Sequence, residues 1–234
     1  LQNVTGNIQT SKVVGSVNKL KTKTAKFVAT SGIGHTRWAT HGSPLLKNAH
    51  PIESSSKSIS LVHNGIIENY AELKSKLQKK GVRFHTDTDT EVLANLIDSF
   101  LTARTSIENA LSKAIKLTTG AYTVAVMSNR HPGKVVFART GYAGGIIVAK
   151  NGTSTIIASD IAAITNNNYS MTFLEAGEMG VASNNTVSFF NLKGKKISKK
   201  FEKFNLSDSI NEKGKYRYFL EKEIFEQPDS MFDF

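Results

Sequence analysis

Gly34-His35-Thr36-Arg37-Trp38-Ala39-Thr40-His41-Gly42 sets an arginine, the only tryptophan, two threonines and two histidines between glycines. A surface turn has no need of so much hydrogen-bonding chemistry. A core strand would bury those polar groups at a cost unless each found a partner. A run this dense in donors, lying between apolar-rich stretches, points to a pocket for a polar ligand. Arg37 offers the planar fork that matches a carboxylate. Thr40 and His41 add short-range donors and acceptors. An Arg-Trp pair by itself reads as a surface cation–π contact; the whole run does not.

Two segments further along bear on what the run belongs to: His63-Asn64-Gly65-Ile66-Ile67-Glu68-Asn69-Tyr70, then Asp87-Thr88-Asp89-Thr90-Glu91. Each has a plain reading in isolation. Asn-Gly is the commonest tight hairpin turn, and Asp89 reads as a helix N-cap. In this order and spacing, however, the three segments resemble the glutaminase domain of the glutamine–fructose-6-phosphate aminotransferase family. That domain is a class II glutamine amidotransferase and an N-terminal-nucleophile hydrolase. The resemblance runs from Ser11 to Pro228. It includes Asn48-Ala49-His50-Pro51, Gly120-Ala121-Tyr122 and Ala158-Ser159-Asp160. The tail Lys213-Gly214-Lys215-Tyr216-Arg217-Tyr218 and Lys222-Glu223-Ile224-Phe225-Glu226-Gln227-Pro228 is similar to the family's join between glutaminase and sugar-phosphate domains. Gly141-Tyr142-Ala143-Gly144-Gly145 departs from the family's Gly-Ser-Pro-Leu, and no function is carried onto it.

The resemblance implies an α+β fold, a four-layer αββα sandwich, and a reaction that splits glutamine to glutamate and ammonia through a γ-glutamyl thioester. The ammonia then passes to a sugar-phosphate isomerase domain that makes glucosamine 6-phosphate from fructose 6-phosphate. Arg37 matches the residue that pairs with the substrate α-carboxylate, and Asp89 the one that pairs with its α-ammonium. Asn64 and Gly65 match the oxyanion hole. Thr40 and His41 match positions lining the glutamine site, and Trp38 lies where the family has a residue near the ammonia exit. No cofactor and no metal are implied; His35, His41, His50 and His63 lack helical ligand spacing. The resemblance also implies a cytoplasmic address and a homo-oligomeric parent.

The family's nucleophile is an N-terminal cysteine, its thiolate formed with help from the α-amino group. This sequence contains no cysteine and begins with Leu1. The expectation is a glutaminase domain over residues 1–206, incomplete at its N-terminus, lacking the family's first strand and inactive as it stands. Residues 207–234 read as a linker toward an absent sugar-phosphate domain. The alternative is a non-catalytic amino-acid-binding or interaction module.

At 234 residues and 39% hydrophobic, the chain is long enough for one sizeable core. No run is long and apolar enough to suggest a membrane span. The formal charge is +11, with Lys193, Lys195, Lys196, Lys199, Lys200 and Lys203 clustered around a hairpin-like Leu192-Lys193-Gly194-Lys195. A solvated turn explains that cluster better than nucleic acid does, since no nucleic-acid-binding motif accompanies it.

Hydrophobic periodicity predicts helices over Asn69–Lys80, stopped by Gly81, and Thr90–Leu101. A third is expected from a capping box at Thr105-Ser106-Ile107-Glu108. Strands are predicted at Gly32–Trp38, Ile59–His63, Ala121–Ser128, Val135–Thr140, Gly145–Lys150 and Ser154–Ser159. Phe173–Leu192 reads as further strand broken at Ala176-Gly177 and Asn184-Asn185. Asp160 is expected to cap a short helix to Thr165. The blocks of strand around helices argue for antiparallel sheets.

Overall fold

The computed structural model describes residues 1–37, 43, 45–164, 168–204, 215–218, 220–222, 224, 225 and 227. Its elements in chain order are α1 (Val17–Thr24), β1 (Ile52–Glu53), β2 (Ile59–Gly65), α2 (Tyr70–Lys79), α3 (Asp89–Phe100), α4 (Ile107–Ile115), β3 (Tyr122–Ser128), β4 (Lys134–Thr140), β5 (Ile147–Lys150), β6 (Thr155–Ala158), β7 (Ser170–Phe173), β8 (Glu178–Ser183), β9 (Thr186–Asn191), β10 (Lys196–Ile197) and β11 (Glu202–Lys203). Two antiparallel sheets result. One is seven-stranded in the order β1-β2-β3-β4-β8-β9-β10, the other four-stranded in the order β11-β7-β5-β6.

Alternation along the strands decides how the layers stack. In β2, Ile59 and Leu61 face the helices; in β4, Val136 and Ala138 do the same. They meet Val92, Leu93, Leu96 and Ile97 of α3, with Leu73 and Leu77 of α2 and Ile107, Leu111 and Ile115 of α4. On the sheet's other face, Phe137, Ala182 and Phe189 pack against Ile146, Val148 and Leu174, joining the two sheets. The outer face of the smaller sheet presents Ile147, Ala149 and Met171, covered by Ile161 of a 3-10 turn at Ile161–Ala163 and by Phe204. The architecture is α+β with antiparallel sheets, as the sequence pattern predicts, and the two sheets stack as the family resemblance implies.

The helix stops and caps have local causes. Gly81, at φ +87°, closes α2 through Gly81 N–H to Gln78 O and Val82 N–H to Leu77 O. Asp160 caps the 3-10 turn by accepting from Ala162 N–H at 2.8 Å. The N-cap falls one residue later than the expected capping box places it. Ser106, not Thr105, is the N-cap of α4, and its hydroxyl accepts from Asn109 N–H.

Other expectations are corrected. Gly32–Arg37, the described part of the strand predicted over Gly32–Trp38, is not a strand; the isolated Gln2–Ser31 bridge stops one residue before it, and a strand needs a paired neighbour. The strand predicted over Ile59–His63 runs two residues further, through Asn64 and Gly65 opposite Thr123 and Tyr122 of β3. Asp89 is not an N-cap. Thr88 holds that place in extended conformation, and Asp89 is the first helical residue. Phe173 ends a strand of the smaller sheet, whereas β8 and β9 belong to the larger one, so the predicted Phe173–Leu192 block spans both. Helix α1, which buries none of its residues, carries no periodic apolar signal.

Candidate functional site

The end of β2 builds one wall of a cleft of about 320 Å³ lined by His35, Thr36, Arg37, His50, His63, Asn64, Gly65, Ile66, Thr88, Asp89 and Thr90. Its size and its mixture of apolar wall and convergent polar groups suit a small polar ligand. Arg37, Asn64, Gly65 and Asp89, far apart in sequence, are thus brought together. Trp38, Thr40 and His41 lie outside the described residues, as does most of the expected linker over 207–234.

Strand alternation sends His63 and Asn64 to opposite faces. His63, 5% exposed, turns to the helix side, where its ring meets the edge of Tyr122 at 5.3 Å. Its Nδ1 lies 3.1 Å from Thr90 Oγ1. Asn64 turns the other way and accepts from His35 Nε2–H at 2.7 Å. With the amide oxygen held there, the Asn64 NH2 group is the end left to face a ligand.

Gly65 is required by geometry. Its φ is +120°, and a Cβ there would stand 2.4 Å from Ala121 O and 2.7 Å from Tyr122 Cα. Gly120 has the same constraint: φ +121°, and a Cβ 2.2 Å from Ile66 O. The two glycines let the chain ends beyond β2 and before β3 close on each other. Glu68 N–H to Thr119 O and both amide atoms of Asn69 to the Leu117–Thr119 segment continue that closure.

Asp89 is 4% exposed, and its Oδ2 accepts from Ile67 N–H at 2.9 Å. The segment after Asn64-Gly65 is therefore tied directly to the carboxylate on α3. Glu91, also buried, accepts from the N–H groups of His85 and Thr86 and shapes the loop that leads into the helix. Arg37 reaches the site from the opposite loop, where it donates to Ser43 O at 3.3 Å.

Beside these groups His35 and His50, both half-buried, and the buried His63 form a cluster. The rings of His35 and His50 lie 4.5 Å apart, and His50 Nε2 is 3.1 Å from the same Thr90 hydroxyl that His63 meets. Thr90 donates toward Asp89 Oδ1, which leaves its lone pairs to accept from both histidines. Burial drives all three imidazoles toward the neutral form. His50 is pushed down to about 3, by burial first and then by His35, His63, Arg37 and Lys12. His63 and His35 are also lowered, chiefly by burial. None of the three was expected at the site from the sequence except as a discounted metal ligand. The signal was their place inside the same quoted motifs.

The basic cluster is a turn. Gly194, at φ +88°, donates to Asn191 O, and Asn191 Oδ1 accepts from Lys193 and Lys195 N–H. Lys199 pairs with Glu178 at 2.6 Å and Lys200 with Glu202 at 3.0 Å. Among the described residues no helix is long and apolar enough to cross a membrane.

Residues 35–166 match a family model described as a glutamine amidotransferase domain. The glutamine–fructose-6-phosphate aminotransferase (isomerizing) of Clostridium acetobutylicum is 39% identical over 230 residues, 97% of this chain and 37% of that protein. Its counterpart in Haemophilus influenzae is 37% identical over 231 residues, 98% of this chain and 37% of that protein. The chain therefore spans little more than a third of the length of these relatives. Among solved structures, the Bacillus subtilis glutamine phosphoribosylpyrophosphate amidotransferase, complexed with ADP and GMP, superimposes with a TM-score of 0.56 at 24% identity, over 68% of this chain and 34% of that one. A structure described as the allosteric regulatory enzyme of purine biosynthesis gives 0.58 at 24% identity, with the same coverage. Those two support the fold, an N-terminal-nucleophile-hydrolase type of sandwich. The family match covers more than half of the chain and contains every site residue named above. The chain belongs to the glutamine amidotransferase domain family.

Proposed function

We propose that this chain is the glutamine-binding portion of a glutamine–fructose-6-phosphate aminotransferase, whose reaction yields glutamate and glucosamine 6-phosphate. The observation that carries the reading is the convergence of Arg37, Asn64, Gly65 and Asp89 on one cleft. A guanidinium on a loop and a carboxylate at the start of α3 select an amino-acid backbone. Arg37 takes the α-carboxylate and Asp89 the α-ammonium. That clamp fixes the direction of the side chain, so the γ-amide lies toward the end of β2. There the Asn64 NH2, oriented by His35, and the Gly65 N–H stabilise the oxyanion that forms when the amide carbon is attacked. Each such donor is worth about 10²–10³ in rate.

The attack itself needs a thiolate, and this sequence holds no cysteine. The share of the reaction that its residues carry is binding, orientation and charge stabilisation, and by itself the chain binds glutamine without releasing ammonia. Residues 1–206 form the glutaminase unit, and 207–234 lead toward a sugar-phosphate isomerase domain. The cytoplasmic location and homo-oligomeric parent follow from the same reading. Thr40 and His41 complete the glutamine site, and Trp38 lies near the ammonia exit.

Calorimetric titration tests this. A saturable one-to-one heat with L-glutamine is expected, weakened by about 10–100-fold in Arg37→Ala. No saturable binding of glutamine, together with salt-dependent binding of DNA, would replace the reading with one based on the chain's positive charge.

A further inference from the structure

Asn48 is fully buried although it ends a short 3-10 turn, Leu46–Asn48, on the rim of the molecule. Its amide is used on every side. Nδ2 donates to Ser43 O at 3.0 Å and to Asp87 Oδ2 at 3.2 Å, and Oδ1 accepts from Asp87 N–H at 3.0 Å. Ser43 O is the same carbonyl to which Arg37 donates. Asp87 lies two residues before Asp89, in the loop that Glu91 holds from the other side. One side chain therefore links the loop that carries the cation of the site to the loop that leads into the helix carrying its anion.

We infer that Asn48 is a positioning residue that couples the two arms of the amino-acid clamp, fixing the spacing between Arg37 and Asp89 so that both poles of one ligand are met together. The inference rests on the glutamine reading above. The residue type fits the task. Only a carboxamide offers two donors and an acceptor at this length. Aspartate would lose the donors and set a second carboxylate beside Asp87, and leucine would keep the volume but satisfy nothing. The Lys47–Asp87 ion pair at 2.9 Å spans the same two loops, but both side chains are about half exposed, where such pairs contribute little. Asp87 is held below the usual carboxylate range by its bonds from Lys47 and Asn48, so it remains an acceptor through the ordinary pH range.

The distinguishing property of a coupler is that it matters only when both arms are engaged. Titrate the intact chain, Asn48→Leu and Asp87→Ala with three ligands: L-glutamine, 4-carbamoylbutanoate, which lacks the ammonium, and 4-aminobutanamide, which lacks the carboxylate. The expected result is a rise in the Kd for glutamine of about tenfold or more in Asn48→Leu and of about threefold or more in Asp87→Ala, which keeps the bond from Asp87 N–H to Asn48 Oδ1. The Kd for each one-armed analogue is expected to stay within about twofold, since no coupling is left to lose. Asp87→Ala alters an exposed side chain, so it carries the test even if Asn48→Leu fails to fold. An unchanged glutamine Kd in Asp87→Ala, or an equal loss for all three ligands, overturns the inference while leaving the glutamine reading intact. Absence of glutamine binding to the unaltered chain, or full affinity in Arg37→Ala, overturns that reading and this inference with it.

Discussion

Arg37 and Asp89 are expected to fail in different ways when removed. Arg37 is only partly buried and sits on a loop. Arg37→Ala should raise the glutamine Kd by about 10–100-fold, the worth of a charge-assisted pair, and leave the melting temperature nearly unchanged. Asp89 holds Ile67 N–H as well as facing the cleft. Asp89→Ala should abolish glutamine binding and also destabilise the chain by about 1–3 kcal/mol, because a buried N–H loses its partner. Paired calorimetry and denaturant unfolding measure both, and equal stability of the two variants would contradict the dual role. Arg37 was legible in the sequence because so dense a polar run is unusual where it stands, whereas Asp89, which reads locally as a helix N-cap, was legible only through the family resemblance. Thr90, His50 and His63 were not read as a group. Their contacts arise only where β2 lies against α3 and the His50 loop folds over both, which no local pattern encodes.

Two elements have single-residue weak points. In Gly65→Ala the new Cβ would collide with the backbone of Ala121 and Tyr122 at a φ of +120°, so the end of β2 must part from β3. A cost of about 2–4 kcal/mol is expected, with loss of glutamine binding. Gly133→Ala is the control. Its φ is +71°, but open space surrounds it, so about 1 kcal/mol is expected, visible in urea midpoints. Ser106→Ala removes the one side-chain bond at the start of α4 and should cost about 1 kcal/mol. A Thr105→Ala variant of equal cost would contradict the placement of the cap. The helices were legible because α2, α3 and α4 keep apolar residues at 3.6 spacing and α2 ends at a glycine. The strands were legible as strands, but Asn64-Gly65 hid its role. As a dipeptide it reads as a turn, and only the ladder to Thr123 and Tyr122 shows that it continues β2.

For the whole molecule, the buried histidines set a dependence on pH. His35, His50 and His63 are neutral in the fold near neutral pH, and the unfolded chain takes up their protons near the ordinary value of 6.5. A folded-state pKa below the unfolded one means stability is fully present above about 6.5 and is lost as pH falls. For His50 the loss continues down to about 3. For His50 the slope approaches about 1.4 kcal/mol per pH unit between those two values, and His35 and His63 act in the same direction. Urea midpoints should therefore fall between pH 7 and 5, less steeply in His50→Gln, and a flat profile would contradict the burial. The sandwich was legible only through the family resemblance. Alternation says that a strand has two faces but not which sheet it joins, so Phe173 and the strands after it read as one block although they belong to different sheets. The most direct measurement on the molecule as a glutamine binder is a crystal structure of the chain soaked in L-glutamine. The expected result is one glutamine in the cleft, its carboxylate on Arg37, its ammonium on Asp89, and its amide oxygen facing Asn64 and Gly65. Glutamine seated elsewhere, or reversed with its amide on Arg37, would contradict the proposed function.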